Sequence, residues 1–313
     1  GGTVAAGTGA VALRRYRRLD ASDPCGPAGV LPPAGKAISV TTDDGAELAV
    51  TVAGPPAGPT VVLAHCWTGS QQLWAPVARR LVLAGSRVVV YDQRGHGRST
   101  LASGIPSVNR LGRDLATILE AVDASDAVLV GHSMGSMAAI AFAIDHPEQV
   151  RDRVRGVVLV STAARYLGMP LPQLALNRLL GEGHLEWTRR GRIGALTARA
   201  ALGLPARRTH VTLTRDGFGG TLGSARVECM AAMAAMDLRA GLAGIDVPAV
   251  VLVGSLDTLT PLPLGRRVRR LPNADLVVVP GAGHMLPLEA PDRIIDAVVR
   301  LQVATPVTLS NVG

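Results

Sequence analysis

The sequence predicts an α/β chain: a mostly parallel sheet covered by helices on both faces. Three observations carry that reading. Apolar runs of strand length recur at Thr60 to Ala64, Arg87 to Tyr91, Ala127 to Val130, Gly156 to Val160 and Ala249 to Val253; stretches with helical spacing alternate with them; and a glycine-flanked turn leads from one run directly into a helix. Strands that read as unbroken apolar runs are buried on both faces, and strands alternating with helices imply right-handed crossovers in a parallel sheet. At 313 residues with 48% hydrophobic content the chain can bury one large core, and 3% aromatic content makes that core Leu, Val, Ile and Ala.

In chain order, residues 1–36 read as an N-terminal arm and linker. Gly1 to Leu13 is small and apolar, Arg14 to Arg18 is basic, and Pro24 to Gly35 is rich in proline and glycine. The apolar piece is too short to span a bilayer, so a flexible arm is preferred over the remnant of a membrane anchor. Ala37 to Thr42 and Glu47 to Ala53 flank Asp43-Asp44-Gly45-Ala46, the pattern of a β-hairpin. The strand from Thr60 follows, then a helix over Leu73 to Leu83, the strand at Arg87, a helix over about Val108 to Val122, the strand before Ser133, an alanine-rich helix and the strand at Gly156. From Ala163 to Met236 the alternation stops. An excursion of that length after a sheet strand reads as a helical cap over the strand ends, where open α/β sheets place their ligands. Alternation resumes with Ala249 to Val253, Leu264 to Arg270, Leu276 to Val279 and a last helix over Pro291 to Val303. The division is therefore an arm (1–36), a core (37–162 with 237–304) and a cap (163–236).

The formal charge of +8 raises nucleic acid and membrane as partners. The excess sits in Arg14, Arg15, Arg17 and Arg18 and between Ala163 and Glu228, where ten arginines face four acids, so the core is not basic. Aromatic side chains for base stacking are too few, and nucleic acid is set aside. The arginines of the arm and cap offer a peripheral contact with an anionic membrane surface, although a solvated face is the plainer reading of most of them. A cytoplasmic chain is the expectation, with membrane association through the N-terminus as the alternative. Cys25, Cys66 and Cys229 are odd in number and widely spaced, with neither a disulfide framework nor zinc-ligand spacing, and no metal or cofactor is expected.

Chemistry enters at Gly131-His132-Ser133-Met134-Gly135, between the run Ala127 to Val130 and the stretch Ser136 to Ile144. A strand that enters a helix through Gly-x-Ser-x-Gly is a nucleophile elbow, whose glycines make room for a strained, exposed serine. Ser133 is the candidate nucleophile. Together with His65-Cys66-Trp67 after a strand, Asp92 to Ser99, Gly254-Ser255-Leu256-Asp257 followed by Pro261, and Gly281-Ala282-Gly283-His284, the elbow resembles the α/β-hydrolase family, in its branch with a helical cap after the sixth strand. The resemblance covers roughly Ile38 to Val303 and implies an eight-stranded, mostly parallel sheet. The order serine, acid, histidine is the one that fold requires.

A serine needs a base within hydrogen-bond reach, and the base needs a carboxylate to fix its tautomer. His284, in a turn freed by Gly281 and Gly283, is the candidate base. Asp257 follows the strand Ala249 to Val253 and is the candidate acid; Ser161 to Ala164 holds no carboxylate, and Asp237 and Asp246 lie at the wrong end of the strand. A tetrahedral oxyanion needs two donors. The backbone N–H of Met134 is one, and the resemblance implies that of Trp67 as the other. Cys66 stands where the family usually has glycine, which bears on the loop geometry and places a thiol near the site.

The remaining histidines of the motifs, His65, His96 and His132, read as loop-orienting groups, and Asp92 to Ser99 as a turn held by hydrogen bonds from Asp92 and Arg94 to backbone. Met230, Met233 and Met236 form one helical stripe, read as core packing, with a deformable wall for an acyl chain as the alternative; Cys66, Met230 and Met233 are thus candidate substrate contacts. The sequence reading is a cofactor-independent serine hydrolase acting on a small-molecule carboxylic ester with an apolar acyl group. A cofactor-free haloperoxidase or perhydrolase, a carbon–carbon bond hydrolase and an acyltransferase share the same three residues, and a ligand receptor that has lost turnover is the non-enzymatic alternative.

Overall fold

The computed structural model describes residues 19–20, 27–102, 107–165 and 191–303. Eight strands form one sheet: β1 (Lys36–Thr41), β2 (Glu47–Ala53), β3 (Thr60–Ala64), β4 (Arg87–Tyr91), β5 (Ala127–His132), β6 (Val154–Val160), β7 (Ala249–Gly254) and β8 (Ala274–Val279). Their order is β1-β2-β4-β3-β5-β6-β7-β8, and only β2 runs against its neighbours. The hairpin expected around Asp43 to Ala46 joins β1 to β2, with Lys36 paired to Val52. Lys36, assigned by sequence to the linker, already belongs to β1.

Alternate side chains of the central strands feed two cores. Val62 and Ala64 point into the layer of α2 (Val108–Ala121) and α3 (Met134–Asp145), whereas Val61 and Leu63 point into the layer of α1 (Ala75–Leu83) and the C-terminal helix Pro291–Val303. That period of two is the physical content of a strand buried on both faces. α3 is apolar all round, with every residue from Met134 to Ala143 buried, because it lies between the sheet and α2. α2 starts at Ser107, whose hydroxyl accepts from the Arg110 N–H at 3.0 Å. The helix expected over Leu73 to Leu83 is in two pieces, a 3-10 turn (Gln71–Trp74) and α1. The break falls where Pro76, second in α1, opens a fresh first turn.

After α3 comes α4 (Pro147–Arg153), too short to leave a periodic signal, and then β6. The chain leaves the sheet at Arg165 and returns at Asp237. These two residues form a β-bridge, and Leu238 N–H donates to Ala164 O at 2.8 Å, so entry and exit lie side by side. Between them stand α5 (Gly191–Ala200), α6 (Arg208–Gly219) and α7 (Gly223–Ala235). Ala198, Leu202, Ala206 and Val211 of this excursion pack on Cys66, Leu73, Met285 and Leu288 at the strand ends. Leu19–Asp20, within the stretch read as a free arm, pairs in parallel with Ala206–Arg207. Residues 1–18, with Arg14 to Arg18, lie outside the described residues, as does Cys25. The sheet side is completed by α8 (Leu262–Val268), α9 (Leu286–Glu289) and α10 (Pro291–Val303), the last burying Ile294, Ala297, Val298 and Leu301 at helical spacing. Among the described residues no helix is long and apolar enough to cross a membrane.

Candidate active site

Ser133 sits between β5 and α3 at φ 52° and ψ −112°, a conformation L-residues rarely adopt and one that costs on the order of 1–3 kcal/mol. The surroundings enforce it. Ser133 N–H donates to Val160 O at 2.8 Å, and Ser133 O accepts from Thr162 Oγ1 at 3.1 Å and from the N–H groups of Ser136 and Met137 at 3.0 and 3.1 Å. Ser136 Oγ locks the turn from below, donating to Gly131 O at 2.6 Å and accepting from Val160 N–H at 3.1 Å. The two flanking glycines are required by contact. A Cβ on Gly131 would lie 2.4 Å from Ser136 Cα, and one on Gly135 would lie 2.2 Å from Ala64 O.

His284 and Asp257 meet across the ends of β7 and β8. The imidazole Nδ1 lies 3.0 and 3.1 Å from the two carboxylate oxygens, in a pocket that buries both side chains almost completely. Asp257 is further held by the N–H groups of Leu259 and Thr260, at 2.9 and 2.8 Å, and by Thr260 Oγ1 at 2.8 Å. Burial alone would push its carboxyl up, but the His284 ring and the Thr260 hydrogen bonds outweigh burial and leave it below its ordinary value. Thr260 Oγ1 also lies 3.2 Å from His284 Nδ1. Neither Thr260 nor Thr162 was singled out from the sequence. The spacing Asp257-x-x-Thr260, a short side-chain-to-backbone turn, is the signal that could have found the first; Thr162 is recognisable only once β6 stands beside the elbow.

Ser133 and His284 line one cavity of about 460 Å³. Apolar groups, among them Leu73, Met137, Ala198, Ala201, Met230 and Met233, dominate the wall, and Cys66, Trp67 and Thr260 also line it. Met230 and Met233 therefore belong to the core and to the cavity wall at once, whereas Met236 is buried away from the wall.

Met134, first residue of α3, offers its N–H at a helix N-terminus, where backbone donors lack intrahelical partners. Trp67 lies on the loop after β3. Its indole Nε1 donates to Arg226 O at 3.0 Å and its ring meets Phe218 edge-on at 5.5 Å, so the loop after β3 is fastened to the excursion that follows β6. The left-handed backbone that a glycine would serve falls at Thr68 (φ 57°), not at Cys66, and the cysteine is accommodated without strain. Burial pushes the Cys66 thiol up to about 12, which keeps it protonated.

The other histidines orient loops. His65 Nε2 accepts from Gln93 N–H at 2.8 Å while Nδ1 meets Cys66 O at 2.7 Å, and His96 Nε2 accepts from Thr68 N–H at 3.1 Å. His132 Nε2 meets His284 O at 2.8 Å, which ties the strand before the elbow to the histidine loop. Burial lowers their pKa values to about 4 for His65 and about 3 for His96 and His132, so all three are neutral near pH 7. In the turn after β4, Asp92 accepts backbone N–H groups of Gln71 and Arg98 at 2.8 and 3.1 Å, as expected. Arg94 differs from expectation. Its fully buried guanidinium bonds chiefly the carboxylates of Asp114 and Asp44, tying α2 and the β1–β2 hairpin to the turn. Two of the arginines between Ala163 and Glu228 are exceptions to the solvated face read for most of them: Arg199 and Arg226 are buried, and Arg226 lies over the Phe218 ring at 5.0 Å. Arg178, Arg189 and Arg190 lie outside the described residues. Among the described residues no cluster of three or more His, Cys, Asp or Glu could hold a metal ion.

An eight-stranded sheet with a serine elbow after its fifth strand and a histidine after its eighth defines a class, and the sequence profile of the alpha/beta hydrolase family matches residues 61–297; the chain belongs to that family. It is 26% identical over 274 residues to 3-oxoadipate enol-lactonase 1 of Acinetobacter baylyi, covering 83% of this chain and 94% of the relative. It is 27% identical over 257 residues to a non-heme chloroperoxidase of Burkholderia pyrrocinia, with 78% and 92% covered. Among solved structures, a thermophilic esterase from Thermogutta terrifontis superposes with a TM-score of 0.69 at 26% identity, covering 85% of this chain and 98% of that one.

Proposed function

We propose that the protein is a serine hydrolase that cleaves carboxylic esters with an apolar acyl group through an acyl-enzyme on Ser133. The observation that carries the reading is the placement of Ser133 and the Asp257-held His284 on the wall of one predominantly apolar cavity. The similarity to an enol-lactonase and an esterase supports it.

In this reading Ser133 Oγ attacks the ester carbonyl as His284 Nε2 takes the hydroxyl proton. Asp257 holds Nδ1–H, fixes the tautomer and stabilises the imidazolium that forms. The oxyanion develops between the N–H groups of Met134 and Trp67, each such donor being worth about 10²–10³ in turnover. His284 returns its proton to the leaving alcohol, then activates water to release the acid. The methionines and Leu73 receive the acyl chain. Each methylene the cavity accepts is worth about 0.8 kcal/mol, roughly a fourfold gain in kcat/KM.

The test is a series of p-nitrophenyl esters of increasing acyl length, with Ser133→Ala beside the wild type. The expected result is turnover that rises with chain length until the cavity is full and vanishes in the variant. A folded protein inactive on every ester would overturn the reading. Hydrogen peroxide added as a competing acceptor separates hydrolysis from perhydrolysis. The arginines of arm and cap remain a proposal for contact with an anionic membrane, tested by co-sedimentation with vesicles of anionic lipid; absence of binding sinks it.

A further inference from the structure

Glu289, the last residue of α9, has no part in the acyl-transfer steps above, yet its carboxylate accepts three backbone N–H groups from two separate parts of the chain. Oε2 accepts from Gly203 at 2.5 Å and from Gly283 at 3.0 Å, and Oε1 accepts from Met285 at 2.9 Å. Gly283 and Met285 flank His284, while Gly203 lies in the turn that follows α5 in the cap. Two further bonds cross the same seam: His284 N–H donates to Ala201 O at 2.7 Å, and Leu204 N–H donates to Gly281 O at 2.9 Å.

The approach is close enough to demand glycine on both sides. A Cβ on Gly203 would lie 2.1 Å from Gly281 O, and one on Gly283 would lie 2.5 Å from Gly203 N. On the cap side the buried Arg199 guanidinium donates to Leu202 O and Gly203 O at 3.2 and 3.0 Å, so the turn is held from behind as well. Ala201, His284 and Met285 all line the cavity. A carboxylate with N–H donors on both oxygens is a rigid three-point bracket, since bonds to a charged acceptor are shorter and stronger than neutral ones.

We infer that Glu289 is a positioning residue: it fastens the cap turn Ala201–Leu204 to the loop carrying His284, so that the imidazole takes its place only when the cap is seated. The inference rests on the serine-hydrolase reading for its catalytic consequence and on geometry alone for the bracket. Against the Asp257 carboxylate, which orients the ring itself, Glu289 orients the backbone from which the ring projects. A cap tied in this way is part of the catalytic frame.

The test uses Glu289→Ala and Glu289→Gln in the full chain. Hydrogen exchange of the Gly203, Gly283 and Met285 amides reads the bracket directly, and kcat per active site, titrated with a fluorophosphonate, reads its consequence. In Glu289→Ala the three amides are expected to exchange faster together. Its kcat per titrated site is expected to fall by about 10²-fold, the usual effect of an ångström of misplacement. KM for a short-chain ester should stay within about threefold of wild type because Glu289 itself contributes no atom to the cavity lining. Glu289→Gln, which keeps one acceptor oxygen, is expected to lie between the two. A role confined to stability would lower the titratable fraction and Tm while sparing kcat per site. The inference is overturned by a folded variant with kcat per site within about threefold of wild type, or by exchange that quickens at Gly203 and not at Gly283 and Met285. If Glu289→Ala fails to fold, Glu289→Gln is judged by the same two criteria. Absence of ester turnover in the wild type would overturn the hydrolase reading, and the exchange data would still judge the bracket.

Discussion

Gly135→Ala puts one methyl group between α3 and the end of β3, and the structure says what it meets. The added Cβ lies 2.2 Å from Ala64 O, 2.6 Å from Ala64 C and 2.6 Å from His65 O. All three atoms are backbone, so no side chain can swing aside. Relief to an ordinary contact needs about an ångström of separation between helix and strand. Overpacking of this kind costs about 1–3 kcal/mol, which for a chain of this size lowers Tm by about 5 °C. The catalytic effect is larger. In the proposed mechanism the two oxyanion donors stand on opposite sides of the overlap, Met134 at the start of α3 and Trp67 just beyond β3, so the separation pulls them apart. A loss of about 10²-fold or more in kcat follows, with KM little changed. Steady-state kinetics and a thermal melt of the purified variant are the assay. A Gly135→Ala protein with wild-type kcat and Tm would show that α3 does not press on β3 as described.

Asp257→Asn keeps the shape of the acid and removes the charge that fixes His284; kcat on a p-nitrophenyl ester should fall by about 10³–10⁴-fold while KM is retained, and a variant with a tenth of wild-type kcat would exclude Asp257 as the orienting acid. His65, His96 and His132 are neutral when folded, with pKa values lowered to about 4, 3 and 3 from 6.5. The unfolded chain therefore binds more protons than the folded one below pH 6.5, and stability falls with pH from there toward pH 4, each histidine contributing up to about 1.4 kcal/mol per pH unit. Urea titrations at pH 7, 5.5 and 4.5 measure this, and a flat profile would contradict the burial of the three rings. Met233→Ala opens the cavity wall and should move the preferred p-nitrophenyl ester to a longer acyl chain, at a cost of about 2–5 kcal/mol in stability; an unchanged chain-length profile would remove Met233 from the acyl pocket.

What could be read from the sequence was what a single stretch of chain decides. Arg87–Tyr91 and Pro291–Val303 appear with the predicted boundaries, because an unbroken apolar run and a strict helical stripe each fix their own burial. That Ser133, Asp257 and His284 would come to the strand ends was legible for a similar reason: each follows a strand in a loop whose glycines or spacing announce a turn. Partners set by tertiary proximity were not. Thr162 becomes a support of the elbow only because β6 pairs with β5, and Glu289 reaches the cap turn only because α9 lies beneath the histidine loop. The solvated-face reading covered most of the cap arginines without naming exceptions, and Arg199 and Arg226 are two, because arginine in a stretch without charge periodicity gives no hint that its guanidinium will bond backbone carbonyls. Cys66 was the opposite case: the sequence raised a concern about loop geometry, and the structure places the positive φ two residues on, at Thr68.

In the proposed reaction Ser133 carries a covalent acyl group between its two half-reactions. The direct measurement is intact and peptide mass spectrometry of protein quenched in acid during turnover of a p-nitrophenyl ester, with Ser133→Ala alongside. One acyl mass is expected on the peptide that contains Ser133 and none in the variant. An acyl group on any other residue, or ester turnover by Ser133→Ala at the wild-type rate, would contradict that reaction.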